Sequence, residues 1–245
     1  NYGNFPLSLL INQQGKGFID QTKNWGLTYL QPTQSAAFSD IDNDRDLDLV
    51  LGAERNPTRI LLNQDNFFQD QSEEYNFSVN SFVKGITTGD VNNDGWSDIF
   101  ISILGGDNRL FINENGKAFK DESEKYRIAK PFASFVCWFF DYDNDGWEDL
   151  YVGGYNIDNK KRMLEETAKD FLGDTTNFSH PVLYKNVNGM YFKDVTRSVG
   201  LDQELYAMGG NFGDVNNDGY LDMYLGTGEF NMWAVMPNRL FINQG

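Results

Sequence analysis

The stretch DIDNDRDLDLV, residues 40–50, places five aspartates within nine positions and then becomes apolar. So much like charge in one short segment is unfavourable in a folded chain unless something neutralises it. The pattern returns as DVNNDGWSD at residues 90–98, DYDNDGWED at 141–149 and DVNNDGYLD at 214–222, and a short apolar run follows each copy. The acidic stretch is therefore part of an internal repeat. We number its four copies loops 1 to 4 in chain order.

Two further motifs share the spacing of this repeat. One is the run RILLNQ, RLFINE, VLYKNV or RLFINQ, with an extra early copy, SLLINQ, at residues 8–13. The other is a short run that ends in an aspartate, and its four copies end at Asp20, Asp70, Asp121 and Asp194. These aspartates are 50, 51 and 73 residues apart, as are the acidic loops. Three motifs with one spacing indicate a repeat architecture.

Each repeat contains four short β-type runs, A to D, separated by Asn, Gly and Asp turn signals, and the acidic loop joins A to B. Four antiparallel strands cannot bury both faces alone, so we expect an all-β propeller in which successive four-stranded sheets stack as blades. A parallel solenoid is the rival, but its rungs of about 20–30 residues are shorter than this repeat. Strand A is expected to be the innermost strand, where space around the central axis is limited, because it contains small residues: Ala36, Ala37, Gly85, Gly209 and Gly210.

The strand count predicts about four blade equivalents of a larger ring. Residues 1–20 would supply strands C and D of a preceding blade, residues 35–72, 85–123 and 134–196 three full blades, and residues 207–245 strands A to C of a last blade. An open arc would leave exposed sheet edges, which favour aggregation. We therefore expect a longer chain or another copy to supply the rest of the propeller.

The acidic loops have the ligand chemistry of a Ca²⁺ site. In D-x-[DN]-x-D-[GR]-x-x-D, the side chains at positions 1, 3, 5 and 9 and the backbone carbonyl at position 7 are expected to converge on one centre. A set of hard oxygen ligands suits Ca²⁺, whereas Mg²⁺ demands a tighter octahedron. The predicted ligands of up to four ions are Asp40, Asp42, Asp44, Asp46 and Asp48; Asp90, Asn92, Asp94, Trp96 and Asp98; Asp141, Asp143, Asp145, Trp147 and Asp149; and Asp214, Asn216, Asp218, Tyr220 and Asp222.

Four Ca²⁺ ions would bring the formal charge of the chain from −16 to −8, which explains how the acid clusters can be tolerated. An EF-hand is excluded because it requires flanking helices and a glutamate at position 12, where these loops have an apolar residue in each case. Solvated acidic turns without a metal remain the alternative. In loop 1, Arg45 replaces the glycine of position 6, where a positive φ is commonly required, so we expect site 1 to be the weakest or the most distorted.

Residues 205–228, LYAMGGNFGDVNNDGYLDMYLGTG, and residues 236–245, MPNRLFINQG, resemble FG-GAP/VCBS repeats, the units of the integrin α-subunit propeller. The resemblance covers nearly the whole chain and is strongest to bacterial ASPIC/UnbV-type repeat proteins. It implies a propeller, usually of seven blades, with Ca²⁺ in the A–B hairpins of several blades. It also implies a secreted or cell-surface protein, or a periplasmic one, that serves adhesion or recognition.

Departures from the repeat predict a partner surface on the face opposite the acidic loops, where the B–C and D–A connections are expected to lie. The third blade carries about 20 extra residues between strands B and C, and Lys160 to Leu172 within them are predicted to form a short helix. The last blade has a smaller extension at the same place. Loops on a rigid scaffold commonly carry recognition, here of an extracellular protein or a glycan. The candidate residues are Tyr155, Phe178, His180, Phe230, Met232 and Trp233. The alternative is that these side chains only pack the insertions against the rest of the protein.

The remaining features argue against several function classes. The charge of −16 disfavours nucleic acid as a partner, and the longest apolar run, residues 132–140, is too short to span a membrane. With a single histidine, no G-x-S-x-G elbow and no phosphate loop, no catalytic residue is assigned. Some polysaccharide lyases use propellers with similar loops, so a carbohydrate-active enzyme or a lectin is the alternative. We predict a calcium-stabilised extracellular binding or adhesion module.

Overall fold

A computed structural model describes residues 7–155, 169, 172, 180–228 and 237–245 of the chain. In these residues the strands form one two-stranded hairpin and four larger antiparallel sheets. The predicted all-β fold with four-stranded antiparallel sheets is confirmed. Lys169 and Leu172 are helical, and the rest of the helix expected over residues 160–172 lies outside the described residues.

Within each sheet the strands are neighbours in chain order, because short turns connect them. The strands are β1 (Leu10–Asn12) and β2 (Phe18–Asp20) in the N-terminal hairpin; β3 (Thr33–Ser39), β4 (Asp48–Ala53), β5 (Arg59–Asn63) and β6 (Phe68–Asp70) in sheet 1; β7 (Val83–Gly89), β8 (Asp98–Ile103), β9 (Arg109–Asn113) and β10 (Phe119–Asp121) in sheet 2; β11 (Ser134–Phe140), β12 (Asp149–Gly154), β13 (Val182–Asn186) and β14 (Phe192–Asp194) in sheet 3; and β15 (Ala207–Gly213), β16 (Asp222–Thr227) and β17 (Arg239–Phe241) in sheet 4.

The first strands of successive sheets, β3, β7, β11 and β15, contact one another in series. Two glycines allow this close approach. A Cβ on Gly85 would lie 2.6 Å from the carbonyl oxygen of Phe135, and one on Gly210 would lie 2.9 Å from the ring of Trp138. Gly209 has open space around it, so crowding explains only part of the small-residue pattern that the sequence shows.

Hydrophobic clusters fill the space between neighbouring sheets. Between sheets 1 and 2, for example, Val50 and Ile60 pack with Ile99 and Phe111. The second strand of sheets 1 to 3 is buried at all six positions, since it has a neighbouring sheet on each side. Stacking therefore provides the core that a single sheet could not form alone.

Sheet 4 has one uncovered face in the part of the chain that is described. Tyr224 and Leu240 are 49% and 54% exposed, whereas Phe100 and Leu110, at the equivalent positions of sheet 2, are fully buried by sheet 3. The described sheets thus form an open series of propeller-like blades, without a closed ring.

A four-residue helix, α1 (Ser123–Tyr126), follows β10 and was not predicted from the sequence. It occupies the place where the other sheets have a hydrogen-bonded turn, such as residues 72–76 after β6. Among the described parts of the chain, no helix has both the length and the hydropathy needed to cross a lipid bilayer.

Candidate metal centre

Loops 1 to 4 connect the first and second strands of sheets 1 to 4, so all four lie at the same end of the stacked sheets. The turn between the third and fourth strands reaches the same edge. Gly116, in that turn of sheet 2, packs against the backbone of Asp42 in loop 1, and Gly189 of sheet 3 packs against Asn92 in loop 2. The acidic edge is therefore built by neighbouring sheets together.

One set of hydrogen bonds curls every loop. In loop 2, Asp90 Oδ1 accepts from the backbone N–H of Asp94 at 3.0 Å, and Asp90 Oδ2 accepts from Gly95 at 2.7 Å. Asp94 Oδ1 in turn accepts from Trp96 at 3.0 Å. The equivalent three bonds are present in loops 1, 3 and 4. Positions 1 and 5 thus shape the loop as well as offering oxygens to its centre.

The spacing of the acids fits a bound Ca²⁺ ion. Asp40, Asp42 and Asp44 offer oxygens that all lie within 4.8 Å of one another. Two oxygens that bind one Ca²⁺ at 2.3–2.6 Å can be at most about 5 Å apart, so one ion can reach all three. Asp141, Asp143 and Asp149 form a second such group in loop 3.

Loops 2 and 4 have an asparagine at position 3 in place of an aspartate. Asn92 Nδ2 donates to Asp94 Oδ2 at 2.9 Å, and Asn216 Nδ2 donates to Asp218 Oδ2 at 2.8 Å. The amide therefore ties positions 3 and 5 together while its oxygen remains a hard ligand suited to Ca²⁺. The expected contribution of the position 7 carbonyls stays a prediction in all four loops.

The aspartate at position 9 is buried and bonded to the backbone. Asp98 Oδ2 accepts from the N–H of Val91 at 3.0 Å, and its Oδ1 accepts from the N–H of Asn113 at 2.8 Å. Asp48, Asp149 and Asp222 make the same two bonds. Burial raises the pKa of Asp98 to about 7. This aspartate fastens the loop to the third strand, and a metal would have to share oxygens that already accept hydrogen bonds.

Position 4 has a role that sequence reasoning missed. Asn43, Asn93 and Asn144 have φ values between 53° and 58° and donate through Nδ2 to the carbonyl oxygen of position 6 in the next loop. The three distances are 3.0, 3.2 and 2.8 Å. Each loop is therefore bonded to its successor. The available signal was that position 4 is an asparagine in all four loops.

Arg45 adopts the same conformation as the glycines that replace it elsewhere. Its φ is 79°, compared with 87° at Gly95 and 85° at Gly146. Its N–H still reaches Asp40 Oδ2, at 3.1 Å. The arginine therefore leaves the backbone path of loop 1 unchanged. It does so with backbone strain, because a residue with a side chain disfavours a positive φ.

Of the predicted partner surface, two residues are described. Tyr155 packs against the rings of Phe135, at 5.0 Å, and Tyr206, at 5.9 Å, which agrees with a packing role. His180 Nδ1 lies 3.4 Å from Asp202 Oδ1, at a pocket of about 370 Å³. The other four candidates lie outside the described residues: Phe178, Phe230, Met232 and Trp233.

Comparison with known families agrees with this geometry. A family model described as an FG-GAP-like repeat matches the chain twice, over residues 40–101 and 90–152. Each match begins at an acidic loop and ends in the second strand of the next sheet, so it spans the unit that stacks. No curated protein sequence matches the chain significantly. The two matches and the repeated sheets together show that residues 40–152 consist of FG-GAP-like repeats.

Proposed function

We propose that the chain is a calcium-stabilised module that works outside the cell and binds a protein or a glycan. The observation that carries the proposal is the recurrence, in four loops at one edge, of the same hydrogen-bonded curl around acidic side chains. Such clusters repel one another unless cations lie among them. FG-GAP-like repeats are typical of extracellular adhesion modules, which supports the same function.

The affinity of ordinary Ca²⁺ loops favours this location. Extracellular modules bind Ca²⁺ with dissociation constants of about 10⁻⁴ to 10⁻³ M, which match the Ca²⁺ concentration outside the cell. Sites of that affinity would be empty in the cytosol. The acidic edge would then keep its repulsion and the protein would lose the stabilisation that the ions provide.

The edge opposite the acidic loops is the proposed recognition surface. There the connections between second and third strands vary in length, since they comprise residues 54–58, 104–108, 155–181 and 228–238. The acidic loops all have the same length. Variable loops on a constant scaffold are the usual place for specific binding. A glycan array tests this proposal: binding without turnover supports it, whereas release of unsaturated oligosaccharides from pectin-like polymers would instead indicate an enzyme.

Thermal unfolding with and without Ca²⁺ tests the metal sites. At ten times its dissociation constant, an ion stabilises the folded state by about 1.4 kcal/mol per site. Four sites would add about 6 kcal/mol, which corresponds to a Tm increase on the order of 10–20 °C for a chain of this size. Asp94→Ala should remove part of this increase. Asp107→Ala is the matched control because Asp107 is exposed at the opposite edge. Equal Tm values in Ca²⁺ and in chelator would refute the proposal.

A further inference from the structure

Loop 3 contains a cation that belongs to the protein. The ammonium group of Lys185, on β13, contacts the carboxylate of Asp143 and lies 2.9 Å from Asp145 Oδ2. Asp143 and Asp145 are positions 3 and 5 of loop 3, and both are predicted Ca²⁺ ligands. The lysine therefore holds oxygens that a bound ion would need.

This lysine is a departure specific to sheet 3. The equivalent residue, one position before Asn63, Asn113 or Asn243, is apolar in the other three sheets: Leu62, Ile112 and Ile242. A second departure accompanies it. Tyr142 occupies position 2 of loop 3, where the other loops have an aliphatic residue, and its ring centroid lies 5.9 Å from the Lys185 ammonium. That distance is within the range of a cation–π contact.

We propose that Lys185 is a resident counter-ion that makes loop 3 a weaker Ca²⁺ site than loop 2. The inference rests on the proposed function, in which the acidic loops bind Ca²⁺. An ion bound at 2.3–2.6 Å from the oxygens of Asp143 and Asp145 would lie within about 6 Å of an ammonium hydrogen-bonded to them. A divalent and a monovalent cation repel at that distance. Calcium must therefore either displace Lys185 or bind loop 3 against its repulsion, and both lower the affinity.

The same contact gives loop 3 a property that loop 2 lacks. Because Lys185 neutralises part of the charge on Asp143 and Asp145, loop 3 keeps its shape when no metal is present. Loop 2 has Ile112 at the corresponding place, so it lacks this internal counter-ion. The sites should fill unequally, with loop 2 before loop 3.

Terbium luminescence can separate the two loops, because Tb³⁺ binds Ca²⁺ sites and is excited through a nearby tryptophan when the excitation wavelength is one that tyrosine does not absorb. Trp96 and Trp147 occupy position 7 of loops 2 and 3. The Trp147→Phe variant then reports loop 2, and Trp96→Phe reports loop 3. We expect the Tb³⁺ midpoint of loop 3 to be at least tenfold higher. Lys185→Ile should lower that midpoint about tenfold, and Lys185→Met should do the same while keeping an unbranched stem. The control is Lys193→Ile, which removes an exposed positive charge on β14 and should leave the loop 3 midpoint unchanged.

Two results would overturn the inference while loop 2 binds normally: equal midpoints for the two loops, or an unchanged loop 3 midpoint in Lys185→Ile and Lys185→Met. If loop 2 binds no Tb³⁺ or Ca²⁺, the proposed function fails, and this inference fails with it. Thermal unfolding in chelator gives an independent measurement. Lys185→Met should lower the Tm, and the loss should shrink in an Asp143→Asn background; an equal loss in both backgrounds would contradict the contact.

Discussion

Asn113 Nδ2 lies 2.9 Å from the carbonyl oxygen of Ile41, and this hydrogen bond joins sheet 2 to the acidic loop of sheet 1. The same amide donates to Ser97 in loop 2 at 3.2 Å, and its oxygen accepts from the N–H of Gly116. One side chain thus holds its own loop, the preceding loop and the neighbouring turn. Asn186 and Asn243 repeat the arrangement in sheets 3 and 4.

Replacing Asn113 should therefore destabilise the protein well beyond the loss of one contact. Asn113→Ala removes three hydrogen bonds, one buried and two part-buried, and leaves the carbonyls of Ile41 and Ser97 without this donor. We expect a decrease of about 2–4 kcal/mol in the free energy of unfolding, measured with urea. Asn243→Ala is the control because it makes the same bonds in the more exposed sheet 4, where water can replace them. Equal losses in both variants would contradict the argument.

Relieving the strain in loop 1 should stabilise the protein. Arg45 has a φ of 79°, a value that costs a residue with a side chain about 1–2 kcal/mol and costs glycine almost nothing. We expect Arg45→Gly to raise the free energy of unfolding by about 1 kcal/mol in urea titrations, and to strengthen Ca²⁺ binding at loop 1. Gly95→Ala makes the reverse change in loop 2, where a Cβ meets nothing within 4 Å. It should destabilise by a similar amount; a neutral result would show that the strain is absorbed elsewhere.

The close approach of the first strands predicts a steric effect at Gly85. A Cβ there would lie 2.6 Å from the Phe135 carbonyl oxygen, which is backbone and cannot rotate away. Gly85→Ala should lower the free energy of unfolding by about 1–3 kcal/mol, because sheets 2 and 3 must separate slightly. Gly209→Ala has open space at the equivalent strand of sheet 4 and should be neutral or stabilising. Comparable destabilisation by both variants would rule out the steric explanation.

Without metal, stability should increase as the pH falls from about 7.5 to 5. Burial raises the pKa of Asp98 to about 7, above its ordinary value of 3.8, so the folded protein binds this proton more tightly than the unfolded chain. The stability that protonation provides is present at low pH and is lost as the pH rises through about 7. Ca²⁺ requires the ionised form and should oppose this trend.

The measurement is the Tm at several pH values in chelator and in Ca²⁺. Asp149 has the same raised pKa, to about 7, so Asp98→Asn should weaken the pH dependence in chelator without abolishing it. A metal-free Tm that rises with pH across this interval would contradict the assignment.

The strands and loops could be predicted from the sequence because their signals are local. Turn residues and the common spacing were enough to separate β3 from β4 and to assign Asp40 to the beginning of loop 1. The bond from Asn43 to the next loop could not be predicted this way, since it depends on which loops become neighbours after stacking. Asp98 shows a different limit. A buried aspartate that fastens the backbone and one that binds a metal have the same sequence pattern.

The constant length of the acidic loops and the variable length of the connections at the opposite edge have an evolutionary consequence. A segment such as residues 155–181 can be exchanged for another without shifting the oxygens of the acidic loops, because its two ends remain anchored in β12 and β13. Changes in length and sequence can therefore accumulate on one rim without disturbing the other. The same separation makes the repeat a practical framework for grafting engineered binding segments.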